Sequence, residues 1–298
     1  MRTTFTDTTP PITPDLLIKD AFFGVDQIEH STLNIELSDE TLRFGIVHDN
    51  AYVWVEDYSL SVVLNAETRL QTLQSIYHQH AFLASNFWKG VHISFNTPHF
   101  TLIPSAFFRK EYAEEYLKLV AGKLANNERT FYSEVKDSQM VNIFGVEGPL
   151  TDWFLEIYPQ QNPVFTHQTS TLIEGARTIA IKNQAQPTVV LYFENGLINV
   201  VVMQQTQLLL CNKFSFKNPY DMTYCVLFIL EQLHIKPADI QVVFYGEITP
   251  YSESFIEMTK FLPNTMFGKR PTQLTYTPAL DDLPDHRYFS LYALGCIH

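Results

Sequence analysis

Residues 33–60, LNIELSDETLRFGIVHDNAYVWVEDYSL, and residues 188–216, TVVLYFENGLINVVVMQQTQLLLCNKFSF, decide the fold. Each stretch holds three short runs of β-branched, aromatic and aliphatic residues. The first is broken at Ser38-Asp39-Glu40 and Asp49-Asn50, the second at Glu194-Asn195-Gly196 and Gln204-Gln205. Such runs between polar turns read as hairpin-linked strands. Asn195-Gly196 is the strongest turn signal, because both central positions of a type I′ turn need φ > 0. Placing Leu42 over Leu197 sets Ile35 on Val190, Leu37 on Tyr192, Ile46 on Val201, Val53 on Leu208 and Val55 on Leu210. This offset of 155 keeps the pattern of apolar positions although identity is almost nil.

The parallel continues outward. Residues 66–83 place Leu70, Leu73, Tyr77, His80 and Ala84 at helical spacing, and residues 220–235 do the same with Met222, Cys225, Val226, Ile229 and Leu233. A strand follows each helix, at 91–95 and 241–245, so only a few residues of drift have accumulated. Then come a helix, a strand and a helix: 109–124, 140–146 and 151–157 in the first half, and 252–261, 273–277 and 287–296 in the second. Each half reads β-β-β-α-β-α-β-α, an α/β unit with a mixed sheet and helices on its faces. The first half carries an extra strand and helix at 163–170 and 171–181. The polar run KNQAQP, 182–187, marks the boundary between lobes. The expected organisation is a flexible tail over 1–14, a first lobe over 15–184 and a second over 185–298.

Composition narrows the function. The 298 residues carry a net charge of −12, from 20 Lys+Arg against 32 Asp+Glu, which disfavours nucleic acid as a partner. Aromatic residues make up 14% of the chain, which supports a large buried core. Cys211, Cys225 and Cys296 cannot all pair and have no C-x-x-C spacing, which fits a reducing, cytoplasmic location. The N-terminus has no apolar signal region, and no apolar run approaches the ~20 residues of a membrane span. Direct membrane insertion is not expected.

Two such lobes in tandem resemble the actin-like ATPase superfamily, also described as a duplicated ribonuclease H-like fold. The compact lobes look like the type IV pilus and type II secretion assembly ATPase-like proteins. More closely, the chain resembles a family of uncharacterised bacterial proteins of that superfamily. The resemblance covers about residues 30–298 and implies ATP bound between the lobes, gripped by a D-x-G type phosphate hairpin in each. Glycine there lets backbone N–H groups approach phosphate oxygens, and aspartate holds Mg²⁺.

The chain departs from that pattern. Its first hairpin, Leu37 to Thr41, has no glycine and adds Asp39 and Glu40; its second, Phe193 to Gly196, leads with Glu194. Neither loop carries Lys or Arg, and phosphoryl transfer depends on charge neutralisation. The strand end Phe244-Tyr245-Gly246 keeps one glycine of the adenosine loop, a residue that also suits a strand-to-helix turn. No G-x-G occurs, and Pro263 stands where a Walker motif ending at Gly268-Lys269-Arg270 needs glycine. The reading is a non-catalytic protein, a pseudo-ATPase, acting through contacts with a protein partner, with homo-oligomer formation left open. The alternative is a nucleotide-binding protein or weak ATPase. It would use Asp39, Glu40 and Glu194 on the Mg²⁺ side, Asn195 and Gly196 in the hairpin, and Gly246 on the base side. No metal site or other cofactor is expected.

Other clusters favour structural roles. His78 and His80 are two apart on a helix and face apart. Asp281, Asp282 and Asp285 beside His286 read as an acidic cap for the last helix, with a hard cation as the competing reading. Gly145 and Gly148 read as a turn into a helix opened by Pro149. The aromatic run 82–88, with Phe107 and Phe108, fits core filling ahead of a partner surface.

Overall fold

The computed structural model describes residues 12–60, 66–183 and 186–297. Residues 1–11 of the expected tail, and residues 184 and 185 of the expected boundary, lie outside these. From Ile12 the chain is already anchored: the Ile12 N–H donates to Gln79 Oε1 at 3.2 Å, and the Ser59 N–H donates to Asp15 Oδ2 at 2.8 Å.

Strand β1 (Leu16–Lys19) leads to the hairpin series β2 (Ser31–Leu37), β3 (Thr41–His48) and β4 (Ala51–Ser59). Helix α1 (Ala66–Gln79), β5 (Gly90–Phe95), β6 (Phe100–Pro104), α2 (Ala113–Ala121), β7 (Glu128–Val135) and β8 (Met140–Glu147) follow. Next are α3 (Gly148–Ile157), β9 (Val164–His167) and α4 (Gln168–Lys182). The second series is β10 (Thr188–Glu194), β11 (Leu197–Gln204), β12 (Gln207–Ser215), α5 (Pro219–Gln232), β13 (Gln241–Gly246), α6 (Glu253–Thr259), β14 (Thr265–Phe267), β15 (Thr275–Tyr276) and α7 (Phe289–Leu294). Helix starts follow local chemistry. Asn218 accepts from the Tyr220 and Asp221 N–H groups before Pro219 opens α5, and Ser252 accepts from the Phe255 N–H at α6.

The two main sheets share one strand order. In the first it is β4-β3-β2-β5-β9, in the second β12-β11-β10-β13-β14. The register corrects the offset expected from sequence. Leu37 pairs with Leu42 and Phe193 with Ile198, and the next strand pair in each half, β3–β4 and β11–β12, carries a bulge, between Ile46 and Val47 and between Val202 and Met203. The offset is therefore 156, so Leu42 corresponds to Ile198. A slip of one residue exchanges the faces of a strand. Strands β5 and β13 correspond at an offset of 151, since Ile93 pairs with Ile35 as Phe244 pairs with Leu191.

Three further expectations shift. Strand β8 is not in the main sheet. With β6 and β7 it forms a separate three-stranded sheet, backed by α2, inserted after β5. The strand and helix read as extra, β9 and α4, complete the repeat instead. In the second half the last sheet strand is β14. The expected strand at 273–277 is β15, which pairs with β4 of the first sheet.

Five layers result. Helices α1 and α3 bury Leu73, Ile76, Tyr77, Trp153 and Phe154 against the outer face of the first sheet. Helices α5 and α6 bury Met222, Val226, Ile229 and Met258 against the outer face of the second. Helices α4 and α7 lie between the sheets: Leu172, Ile173, Ala176 and Phe289 meet Val190, Tyr192 and Tyr245, while Leu291 and Tyr292 meet Tyr52 and Val55. Fully burying one such side chain contributes about 1.5–3 kcal/mol.

Tyr52 ties β4 to α7, its hydroxyl donating to the Leu291 carbonyl at 2.5 Å and its ring meeting Tyr276 and Tyr292. Tyr52→Phe keeps the ring and removes the donor, so unfolding in urea should show a loss of about 1–2 kcal/mol. An unchanged midpoint and slope would show that the bond contributes nothing to this junction.

Candidate functional site

Glu36, Arg43 and Asp57 sit side by side across β2, β3 and β4, because Glu36 pairs with Arg43 and Arg43 with Asp57 in the ladder. All three are buried, on the face that looks toward the second sheet. Arg43 is only 2% exposed, and its planar fork divides among three carboxylates. Nε donates to Asp57 Oδ2 at 3.1 Å, Nη1 to Glu194 Oε1, and Nη2 to Glu247 Oε1 at 3.0 Å. Glu194 Oε2 accepts from Asn96 Nδ2 and Gln168 Nε2, each at 2.7 Å. Arg287 reaches Glu247 Oε1 at 3.2 Å, and Tyr288 donates to Asp57 Oδ2 at 3.1 Å. Ser290 donates to Glu36 Oε1.

These contacts join β3 of the first sheet to β10, to the segment after β13 and to α7. An ion pair removed from water needs such saturation, because the desolvation of each charge costs several kcal/mol. Glu36 departs from it. Burial and the nearby Glu194 push its carboxyl up to about 8, against the opposing pull of Arg43. Its Oε2 has no hydrogen-bond partner among the described residues. Burial and Glu194 both favour its protonated, neutral form.

Above this network opens a cleft of about 480 Å³. Ser38, Asp39 and Glu40 of the first hairpin face Asn195 and Leu197 of the second across it, with Lys213, Asn96, His99 and Phe100 also on its walls. Lys213 Nζ donates to Asn96 Oδ1 and to the Thr97 carbonyl at 3.1 Å. Burial pulls its ammonium down to about 8.

Three of the hairpin amides are already taken. The Glu40 and Thr41 N–H groups donate to Ser38 Oγ at 3.1 and 2.9 Å, and the Asn195 N–H donates to Glu247 Oε2 at 3.0 Å. Asp39 pairs with Arg69, which also holds Glu147 at 2.7 Å.

The candidate residues thus separate. Asp39, Glu40 and Asn195 line the cleft, and Glu194 lies buried under it on Arg43. Asn195 and Gly196 have φ of 48° and 71°, as the I′ turn requires. Gly246 has φ of 83°, and a Cβ there would stand 2.1 Å from the Phe193 carbonyl oxygen. It serves the strand-to-turn passage, whose Glu247 N–H donates to that same oxygen at 2.7 Å.

Sequence reading missed Glu36, Arg43, Asp57, Asn96, Lys213 and Glu247. The alternation of Glu36, Arg43 and Asp57 within apolar strands was the available signal, since charges almost never go inside unless paired.

The other clusters resolve structurally. Asp281 and Asp285 pair with Arg270 at 3.6 and 3.2 Å, and His286 Nε2 meets the Ile248 carbonyl at 2.9 Å. The acidic run is therefore not the expected cap of the last helix, because α7 begins at Phe289, beyond it. Among the described residues no group of three His, Cys, Asp or Glu could hold a metal ion. His80 packs on Phe44 and Phe82, and Gly148-Pro149 opens α3. Phe82 and Trp88 are buried, whereas Phe87 and Phe107 are exposed. The three cysteines are free.

The family model described as protein of unknown function (DUF3822) matches residues 20–265. The chain belongs to that family. A crystal structure from Bacteroides thetaiotaomicron, of a protein with actin-like ATPase fold and unknown function, superimposes with a TM-score of 0.75 at 22% identity, covering 92% of this chain and 99% of that one. The PilM–PilN type IV pilus biogenesis complex contains a chain matching at a TM-score of 0.63 and 9% identity, covering 91% and 98%. No curated protein matches. The fold is thus the actin-like ATPase fold that the resemblance implied.

Glu36 gives the site a pH signature. Between its unfolded value near 4.5 and its folded value of about 8, the native state holds one proton more than the unfolded state, so stability falls as pH rises through that window. Glu36→Gln should flatten the fall and make the protein more stable than wild type at pH 8.5 in urea titrations. Parallel curves for the two proteins would contradict this.

Proposed function

We propose that this chain is a non-catalytic member of the actin-like ATPase fold, a pseudo-ATPase that works as a protein-binding element. One observation carries the reading. The hairpin N–H groups of Glu40, Thr41 and Asn195, and the carboxylates of Asp39 and Glu194, are engaged by the chain's own side chains. A nucleotide would have to break those bonds and bring its phosphates beside Asp39 and Glu40. Catalysis of phosphoryl transfer rests on positioning and charge neutralisation, and the free groups of this cleft supply little of either.

The PilM–PilN complex supports the second half of the proposal, as an instance of this fold in a pilus biogenesis assembly. We take residues 15–184 and 185–298 as the two lobes, products of an internal duplication, and we place the protein in the cytoplasm. The three free cysteines suit a reducing compartment. No helix among the described residues is long and apolar enough to cross a membrane.

The competing reading is weak Mg-ATP binding at Asp39, Glu40, Glu194, Asn195, Gly196 and Gly246. It rests on the cleft of about 480 Å³ and on Lys213 in its wall. Thermal unfolding with millimolar Mg-ATP separates the two. We expect no stabilisation and no phosphate release. A saturable stabilisation, about 2.7 kcal/mol at a ligand concentration 100 times Kd, would replace the proposal with the competing one.

A further inference from the structure

A second cavity, of about 300 Å³, lies away from the cleft, between the C-terminal end of α4, strands β13 and β14 and the loop after β14. Its apolar lining comes from Ile179, Val243, Tyr245, Met266 and Phe289. Its polar lining differs in sign from the rest of the molecule. Lys182 and Lys269, both exposed, stand on it, and no carboxylate does. The chain carries 12 more acidic than basic residues, and the cavities near the hairpins are lined by Asp39, Glu40, Glu128 and Glu147. Arg270 also lines the pocket, but its guanidinium is committed to the carbonyls of Leu280 and Leu283 and to Asp285. Lys182 Nζ holds Thr272 Oγ1 at 3.0 Å, a bond that leaves two of its N–H groups for a ligand.

We propose that this pocket binds a small amphipathic carboxylate, with the hydrocarbon part on Met266, Val243 and Ile179 and the carboxylate between Lys182 and Lys269. The volume is at the lower end of ligand cavities, roughly 300–1,000 Å³, and an apolar floor with a few convergent polar groups is their usual make-up. Charge complementarity selects an anion. A cation of the same hydrocarbon length would gain the same burial and meet two ammonium groups.

Calorimetric titration of the full chain with decanoate, below its micellar concentration, tests this. Decanoate should bind saturably at one site and shift the Met266 methyl resonance, while decyltrimethylammonium should do neither. Lys182→Gln/Lys269→Gln should retain the wild-type circular dichroism spectrum, since both side chains are exposed, and should weaken decanoate at least tenfold. Absence of saturable binding, equal binding of the ammonium compound, or unchanged affinity in the double variant would overturn the proposal. So would co-sedimentation with phosphatidylglycerol vesicles without binding of free decanoate, which would make the feature a membrane contact.

Discussion

The Arg43 guanidinium, buried and shared among Asp57, Glu194 and Glu247, is the constraint on which the arrangement of the two sheets depends. It is supplied by the central strand of one hairpin series and satisfied by Asp57 of that series, by Glu194 of the other and by Glu247 after β13. An unpaired guanidinium in that position would carry the full desolvation cost of a buried charge. The surrounding polar groups follow from it. Asn96 and Gln168 complete Glu194, Tyr288 completes Asp57, and Arg287 balances Glu247. Helices α4 and α7 supply the apolar filling beside this polar centre, so the junction is held by two chemically distinct zones.

That geometry also shapes the cleft. The fold brings two hairpin tips together, as the resemblance to actin-like ATPases led one to expect. The residues at those tips, however, close hydrogen bonds within the chain. Ser38 Oγ caps its own turn, and Glu247 reaches back to the Asn195 amide. The carboxylate that leads the second hairpin points down onto Arg43 and away from the cleft. The carboxylate at this hairpin is a tie between sheets.

Much of this was legible in the sequence, and the failures have physical causes. The three-run pattern, its breaks and the Asn195-Gly196 turn were readable because turn chemistry is local. The register of the hairpin series was not. Strands such as β3 and β10 are buried on both faces, so their apolar runs lack the alternation that would distinguish offset 155 from 156. The inserted sheet escaped notice because β8 reads like any buried strand, and only tertiary pairing shows that its partners are β6 and β7. Strand β15 is two residues long and pairs across 224 positions with β4, a relation no local pattern encodes. Arg43 and its partners were hidden for a related reason. The charges that meet there are scattered between positions 36 and 287, and only the fold gathers them.

The most direct test of the account is a double-mutant cycle of Arg43→Met and Glu194→Gln in equilibrium unfolding. If the guanidinium binds the two sheets together, the two losses couple by about 1–3 kcal/mol, because removing either partner already breaks the bond. Losses that add to within about 0.5 kcal/mol would show that Arg43 and Glu194 act independently, and that something else holds the cleft as it is.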